Sequence, residues 1–388
     1  MNKFASTSYD QFAQSLANQG IDVALQWLAD EFRQDRHYAE WFEVLKMLAR
    51  HQVGLELIRI GDENSEDATR REQLEPLLYK ACGQVGEQLF RDGQPAQAWK
   101  YFQLVGDRGR AAQLLRGISA NQSNVQELID VALAAGVAPE YGIELTLQFL
   151  GTCNAITSFD QLMPYLPATV RDPSAGLLVR HVYNELTANV SAAVERREGK
   201  SPGIVALSEL IEQRPWLFAE DAYHIDPSHL GATVRIARMT TERTALEQAS
   251  TLCIYGQRLG STLTGAGDPP FEELFVAHEK YFDAAMGTGF EPTLAYFRAR
   301  LPASHQRGES ASPAAEVLVD LLCRNNRWSD ALRISLDWLD GTAGRNNPAP
   351  AALEIAQHAG ELETLAKWFR ERDNLLMYTV ALLHTNST

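Results

Sequence analysis

The chain has 388 residues, 45% hydrophobic and 22% charged, an ordinary globular balance with ample material for a core and unlike that of a disordered polymer. Its formal net charge of −15 sets most of its surface against duplex DNA, RNA or an anionic bilayer, so a nucleic-acid partner is not expected. The length fits two or three domains or one elongated array.

Met1 to Gly20 holds a single Lys and no long apolar core, and so does not read as a secretory leader. No stretch reaches the roughly 18 uninterrupted apolar residues of a membrane span. Helical periodicity starts at once: Phe12, Leu16, Val23, Trp27 and Leu28 recur at three-and-four spacing, and Tyr38, Phe42, Leu45, Leu48 and Ala49 form a second stripe. Arg70-Arg71, and later Arg196-Arg197, sit among Glu residues and read as solvated helix faces. Further stripes run through Val125, Leu128, Ile129, Ala132 and Leu133, and through Leu353, Ala356, Leu362, Leu365 and Phe369. Alternation at period two is scarce.

Boundaries are marked by a recurring device. Asp172-Pro173, Asp226-Pro227, Asp268-Pro269 and Ser312-Pro313 each place a capping side chain before a Pro that fits the first helical position. Glu272 and Glu273 add negative charge where a first turn favours it. Gly20, Gly93, Gly136 and Gly360 stand where helices stop. Together these marks predict roughly 16 to 20 helices with short connections. Polar stretches at Glu195–Gly203 and Ala303–Pro313, with a shorter loop at Gly341–Pro350, divide the chain. The expected blocks are an N-terminal array over 1–200, a middle block over 201–302 and C-terminal hairpins over 314–388.

One segment, near 79–112, resembles a tetratricopeptide repeat. Cys82, Val85-Gly86 and Leu89 occupy its first-helix positions, Gly93 its turn, and Ala98 and Phe102 its second helix. Small Gly86 and Ala98 suit a close helix crossing, with Phe102 filling the groove beside it. Cys82 replaces the usual Trp, Leu89 the Tyr, and Arg110 the closing Pro. Weaker echoes at Arg327–Ala331 and Arg36–Ala39 do not fall on a common period of about 34 residues. His224–His229, Tyr255–Leu259 and Gly267–Glu273 look like segments of uncharacterised bacterial helical-repeat proteins. The resemblance implies an all-α solenoid of stacked antiparallel helical hairpins that binds a protein or peptide on a concave face. Around the best unit it points to Gln84, Gln88 and Arg91, the polar positions beside the packed ones.

Motifs for chemistry are weak. Gly199-Lys200-Ser201 lacks the earlier Gly and the preceding strand of a phosphate loop. His278-Glu279 has no second His one turn on, and no GxSxG elbow occurs. His224, Asp226 and His229 could contact a metal, but Asp226 is explained as a helix cap, so no metal or cofactor is expected. The four cysteines are far apart and form no CxxC; they read as buried free thiols in a reducing, cytoplasmic compartment.

Three function classes remain. A non-catalytic scaffold would use Gln84, Gln88 and Arg91, with Trp216 and Trp328 as exposed anchors beside loops. A helical-barrel or toroid hydrolase or lyase acting on glycans or peptides would need His224, Asp268 and Glu272 to converge. A structural subunit of a larger assembly would leave an end helix exposed. The near-continuous apolar run Leu375–Leu383 reads first as the last core helix, and otherwise as such a docking or self-association surface.

Overall fold

The computed structural model describes residues 6–58, 68–203, 205–303, 311–339 and 350–385, and these are all-helical, with no strand among them. None of their helices is long and apolar enough to cross a membrane. The chain forms two compact units, Met1–Leu145 and Thr146–Thr388.

The first unit holds α1 (Ser6–Gln19), α2 (Ile21–Gln34), α3 (Tyr38–Gln52), α4 (Ala68–Arg91), α5 (Pro95–Val105), α6 (Arg108–Arg116) and α7 (Val125–Ile129), and α8 (Pro139–Leu150) crosses its border. Successive helices from α1 to α6 pack on one another. Gly20 separates α1 from α2 and Gly93 separates α4 from α5, with φ of 86° and 73°, values that side-chain-bearing residues rarely adopt. The helix crossing expected at Gly86 is real: a Cβ there would lie 2.6 Å from Phe102 and 3.2 Å from the Ala98 carbonyl oxygen. Phe102 is buried edge-to-face on Phe90, with centroids 5.6 Å apart. α5 has no side-chain cap of its own; the Ala96 amide donates instead to Glu127 of α7 at 3.0 Å.

The second unit comprises α9 (Thr152–Leu162), α10 (Ala168–Glu198), α11 (Leu207–Gln213), α12 (Pro227–Ile236), α13 (Arg243–Gly256), α14 (Leu274–Ala285), α15 (Phe290–Arg298), α16 (Pro313–Arg324), α17 (Trp328–Trp338), α18 (Ala352–Ala359), α19 (Leu362–Arg370) and α20 (Leu375–Thr385). Its first half is built around α10, which meets α9, α11, α12 and α13. From α12 to α20 each helix packs on the next in sequence. One apolar core runs from Val179 to Phe369 and takes in the fully buried Tyr255, Tyr281, Phe282 and Phe297.

Two predicted helix starts are corrected. α10 begins at Ala168, so Pro173 lies inside it. Asp172 is diverted to another task, accepting from the Thr240 hydroxyl at 2.7 Å, the Thr241 amide at 3.0 Å and the Thr241 hydroxyl. Asp268-Pro269 starts no helix either: Pro269-Pro270 is a cis pair in a loop, and α14 begins only at Leu274, with Glu273 as its N-cap. Asp226 caps as expected, accepting from the Ser228 amide at 2.8 Å. Cys153 departs from the buried-thiol reading: it is exposed near the start of α9, whereas Cys82, Cys253 and Cys323 are buried. The boundary stretches at 304–310 and 341–349 lie outside the described residues.

Candidate functional site

The first unit carries a groove of about 530 Å³ across α2, α3 and α4. Each helix offers it one face. Leu45, Leu48, Ala49 and Gln52 follow helical spacing on α3, as do Leu77, Lys80, Ala81 and Gln84 on α4 and Asp22 and Gln26 on α2. Leu45, Leu48 and Leu77 are half-buried and Ala49 and Ala81 are buried, so the surface the groove offers is mostly polar. The rim carries three exposed amides, Gln26, Gln52 and Gln84, with Lys80 and the Asp22–His51 pair at 3.5 Å. A Gln amide both donates and accepts, as a peptide bond does. The arrangement can therefore pair with an extended backbone, with three half-buried leucines beside the amides for a small apolar contact.

Of the three polar positions expected on α4, only Gln84 lines this groove. Gln88 is half-buried and donates to Asp92 at 3.2 Å, beside the Tyr38 hydroxyl that donates to the same carboxylate. Burial and that bond push the Tyr38 phenol up to about 12, so it stays a donor. Arg91 is tied to Glu87 at 2.6 Å, and Glu87 also takes Arg110. Gln88 and Arg91 thus bond locally at the end of α4, and their partners Asp92 and Glu87 reach Tyr38 of α3 and Arg110 of α6.

The aromatic anchors are covered. Trp216 is half-buried with the Arg197 guanidinium 4.4 Å above its ring. Trp328 is half-buried and stacked on His358 at 4.4 Å. Both pack against the core of the second unit, which is where a loop-side aromatic goes when a neighbour can shield it.

Among the described residues, His224, Asp268 and Glu272 have no partner in common. The His224 ring faces the Tyr255 hydroxyl at 3.1 Å, its amide donates to the same oxygen, and its carbonyl accepts from Asn189. Burial, aided by Arg196, lowers its pKa and keeps it neutral. Asp268 is exposed, and its carbonyl accepts from the Phe271 amide at 2.7 Å. Glu272 faces Arg300 at 3.7 Å, as does neighbouring Glu273 at 3.6 Å. Among the described residues no group of His, Cys, Asp and Glu is placed to hold a metal ion.

The sequence reading missed a buried ionic cluster in the second unit. Asp320, 3% exposed, receives Arg324 at 3.0 and 3.1 Å and the Tyr281 hydroxyl. Arg324 also donates to the carbonyls of Thr240 at 2.8 Å and Arg238 at 2.7 Å, joining α16 to the chain just before α13. Burial works against the Arg324 charge, but Asp320 outweighs it and holds the guanidinium's pKa above its usual value. Burial lowers the Arg238 pKa, and its guanidinium lies 4.6 Å above Phe271. His278 is 1% exposed and stacks on the same ring at 4.0 Å. Burial, helped by Arg238, drives it down to about 3. The signal was present in Asp320 and Arg324, four residues apart in AAEVLVDLLCR, whose one other charged residue is Glu316 in the first turn. Sealed from solvent, this cluster can order helices; it offers no surface to a substrate.

No family model, no curated protein and no solved structure matches the chain. The likeness to a tetratricopeptide unit rests on its own residues.

Proposed function

We propose that the chain is a non-catalytic interaction module, a tetratricopeptide-like array of helical hairpins that holds an extended peptide or partner segment in the α2–α3–α4 groove. One observation carries this reading: three successive helices line an open, mostly polar groove with the exposed amides Gln26, Gln52 and Gln84 and the half-buried Leu45, Leu48 and Leu77. Each amide would exchange hydrogen bonds with a partner backbone, worth about 1 kcal/mol apiece. Peptides selected against the full chain from a displayed random library provide the test. The Gln52→Ala, Gln84→Ala double variant should bind them roughly ten-fold or more weakly, with an unchanged melting temperature because both side chains are exposed. Undiminished binding would place the peptide elsewhere and remove the reading.

A second reading, as a subunit of a larger assembly, is favoured by α20. Leu375, Leu376 and Leu383 are 75%, 73% and 62% exposed on a helix anchored through buried Ala381. If this face joins copies of the chain, Leu375→Ser with Leu376→Ser lowers the sedimentation coefficient at fixed concentration. An unchanged coefficient would leave these leucines outside any self-association.

A further inference from the structure

A second concavity in the first unit, sharing no lining residue with the groove, has a different chemistry. It is a pocket of about 430 Å³ between the faces of α1 and α2, closed on one side by the start of α3. Tyr9 and Phe12, three apart, reach it from α1; Trp27, Glu31 and Phe32 reach it from α2; Glu40 comes from the first turn of α3. Phe12 and Trp27 sit with ring centroids 6.4 Å apart and planes inclined by 42°, so they form two walls of a cleft and do not stack flat. Tyr9 is 69% exposed, a large ring held in water at the pocket mouth.

Aromatic walls and carboxylates in one pocket select for positive charge on an apolar body. Ring faces carry the negative lobe of the quadrupole and attract a cation within about 6 Å of the centroid. A carboxylate adds direct Coulomb attraction, strengthened where aromatic walls exclude water. Glu40 has the His37 imidazole at 3.9 Å. Nearby Arg33 is directed at Asp30, at 3.3 Å, and not at Glu31. The chain's net charge of −15 draws cations toward it from a distance. The volume falls within the usual range for small-molecule sites.

We infer that this pocket binds a small organic cation, an ammonium carried on an aromatic or branched apolar body. The ammonium lies between the rings of Tyr9, Phe12 and Trp27 with Glu31 and Glu40 as counter-charges, and the apolar body fills the floor beside Phe32. Tyr9 closes over it and loses its exposure.

The test is calorimetric titration of the full chain at low salt with phenyltrimethylammonium and with tert-butylbenzene, the same shape without charge. The cation should bind about ten-fold more tightly than the neutral isostere. Glu31→Gln with Glu40→Gln should erase most of that preference while leaving the melting temperature in place. Tyr9→Ala, at a largely exposed position, should weaken both probes. Equal affinity for the two probes, no saturable binding of the cation up to millimolar concentration, or a preference that survives the double Gln variant would each overturn the inference. A trimethyllysine peptide binding more than about ten-fold tighter than the free ammonium would assign the pocket to a peptide and overturn the small-molecule occupant.

Discussion

At the scale of single residues, His278 shows what a long apolar stripe conceals. It stands in LFVAHEKYFDAA, where spacing alone marks it as a core position, and it is buried there, with Nδ1 against the Leu274 carbonyl at 2.6 Å. What spacing does not give is its neighbours. Arg238 comes from the turn after α12, 40 residues away in sequence, and Phe271 from the loop before α14, and only the fold brings them together around the imidazole. The consequence is a pH dependence of known sign. The imidazole titrates near 6.5 when exposed and at about 3 when folded. Below pH 6.5 the unfolded chain therefore takes a proton that the folded chain refuses. Stability from this residue is complete above 6.5 and falls by about 1.4 kcal/mol per pH unit as pH drops toward 3. Urea midpoints measured between pH 7 and 5, above most carboxylate titrations, should fall accordingly. His278→Phe, which keeps a ring on Phe271 and removes the titration, should flatten the slope; an equal slope in that variant would assign the effect to other groups.

At the scale of elements, helix content was legible because apolar spacing and end signals agree over most of the chain. The ends were less legible where a capping side chain had two uses. Asp226 faces only its own helix start, so the Asp-Pro pair works locally; removing the carboxylate with Asp226→Ala should cost about 1 kcal/mol in chemical denaturation and leave the helix count in circular dichroism unchanged. A loss well below that would mean the Ser228 hydroxyl, which donates to the same oxygen at 2.6 Å, replaces the cap on its own. Asp172 carries the same local signal, yet its two oxygens hold Thr240 and Thr241, 68 and 69 residues away in sequence. No window along the chain contains that information. The groove divides the same way. Gln84 was recognisable as a polar position beside Ala81 and Val85, but Gln26 and Gln52 join it only through the packing of α2 and α3 on α4.

At the scale of the molecule, the border between the two units was invisible in composition because it falls inside α8, at Leu145, where the chain is continuous helix and no polar stretch interrupts it. Polar stretches mark where the chain meets water; compact units are set by which cores close on themselves. One substitution in each unit suffices to damage that unit's own interior. In the first, Gly86→Ala drives a methyl into Phe102 and the Ala98 carbonyl. Overpacking of this kind costs about 1–3 kcal/mol, offset in part by a gain of up to about 1 kcal/mol in helix propensity. In the second, Asp320→Asn leaves the Arg324 guanidinium buried without its counter-charge, a loss of about 3–5 kcal/mol. If each core melts as its own cooperative unit, scanning calorimetry resolves two transitions. Gly86→Ala should lower one midpoint and Asp320→Asn the other, each leaving its neighbour in place. Only the transition moved by Asp320→Asn should also weaken on going from pH 7 to 5, since His278 belongs to the same core. One transition displaced by both substitutions would show instead that the whole chain unfolds together, and binding at the first unit would then be sensitive to damage in the second.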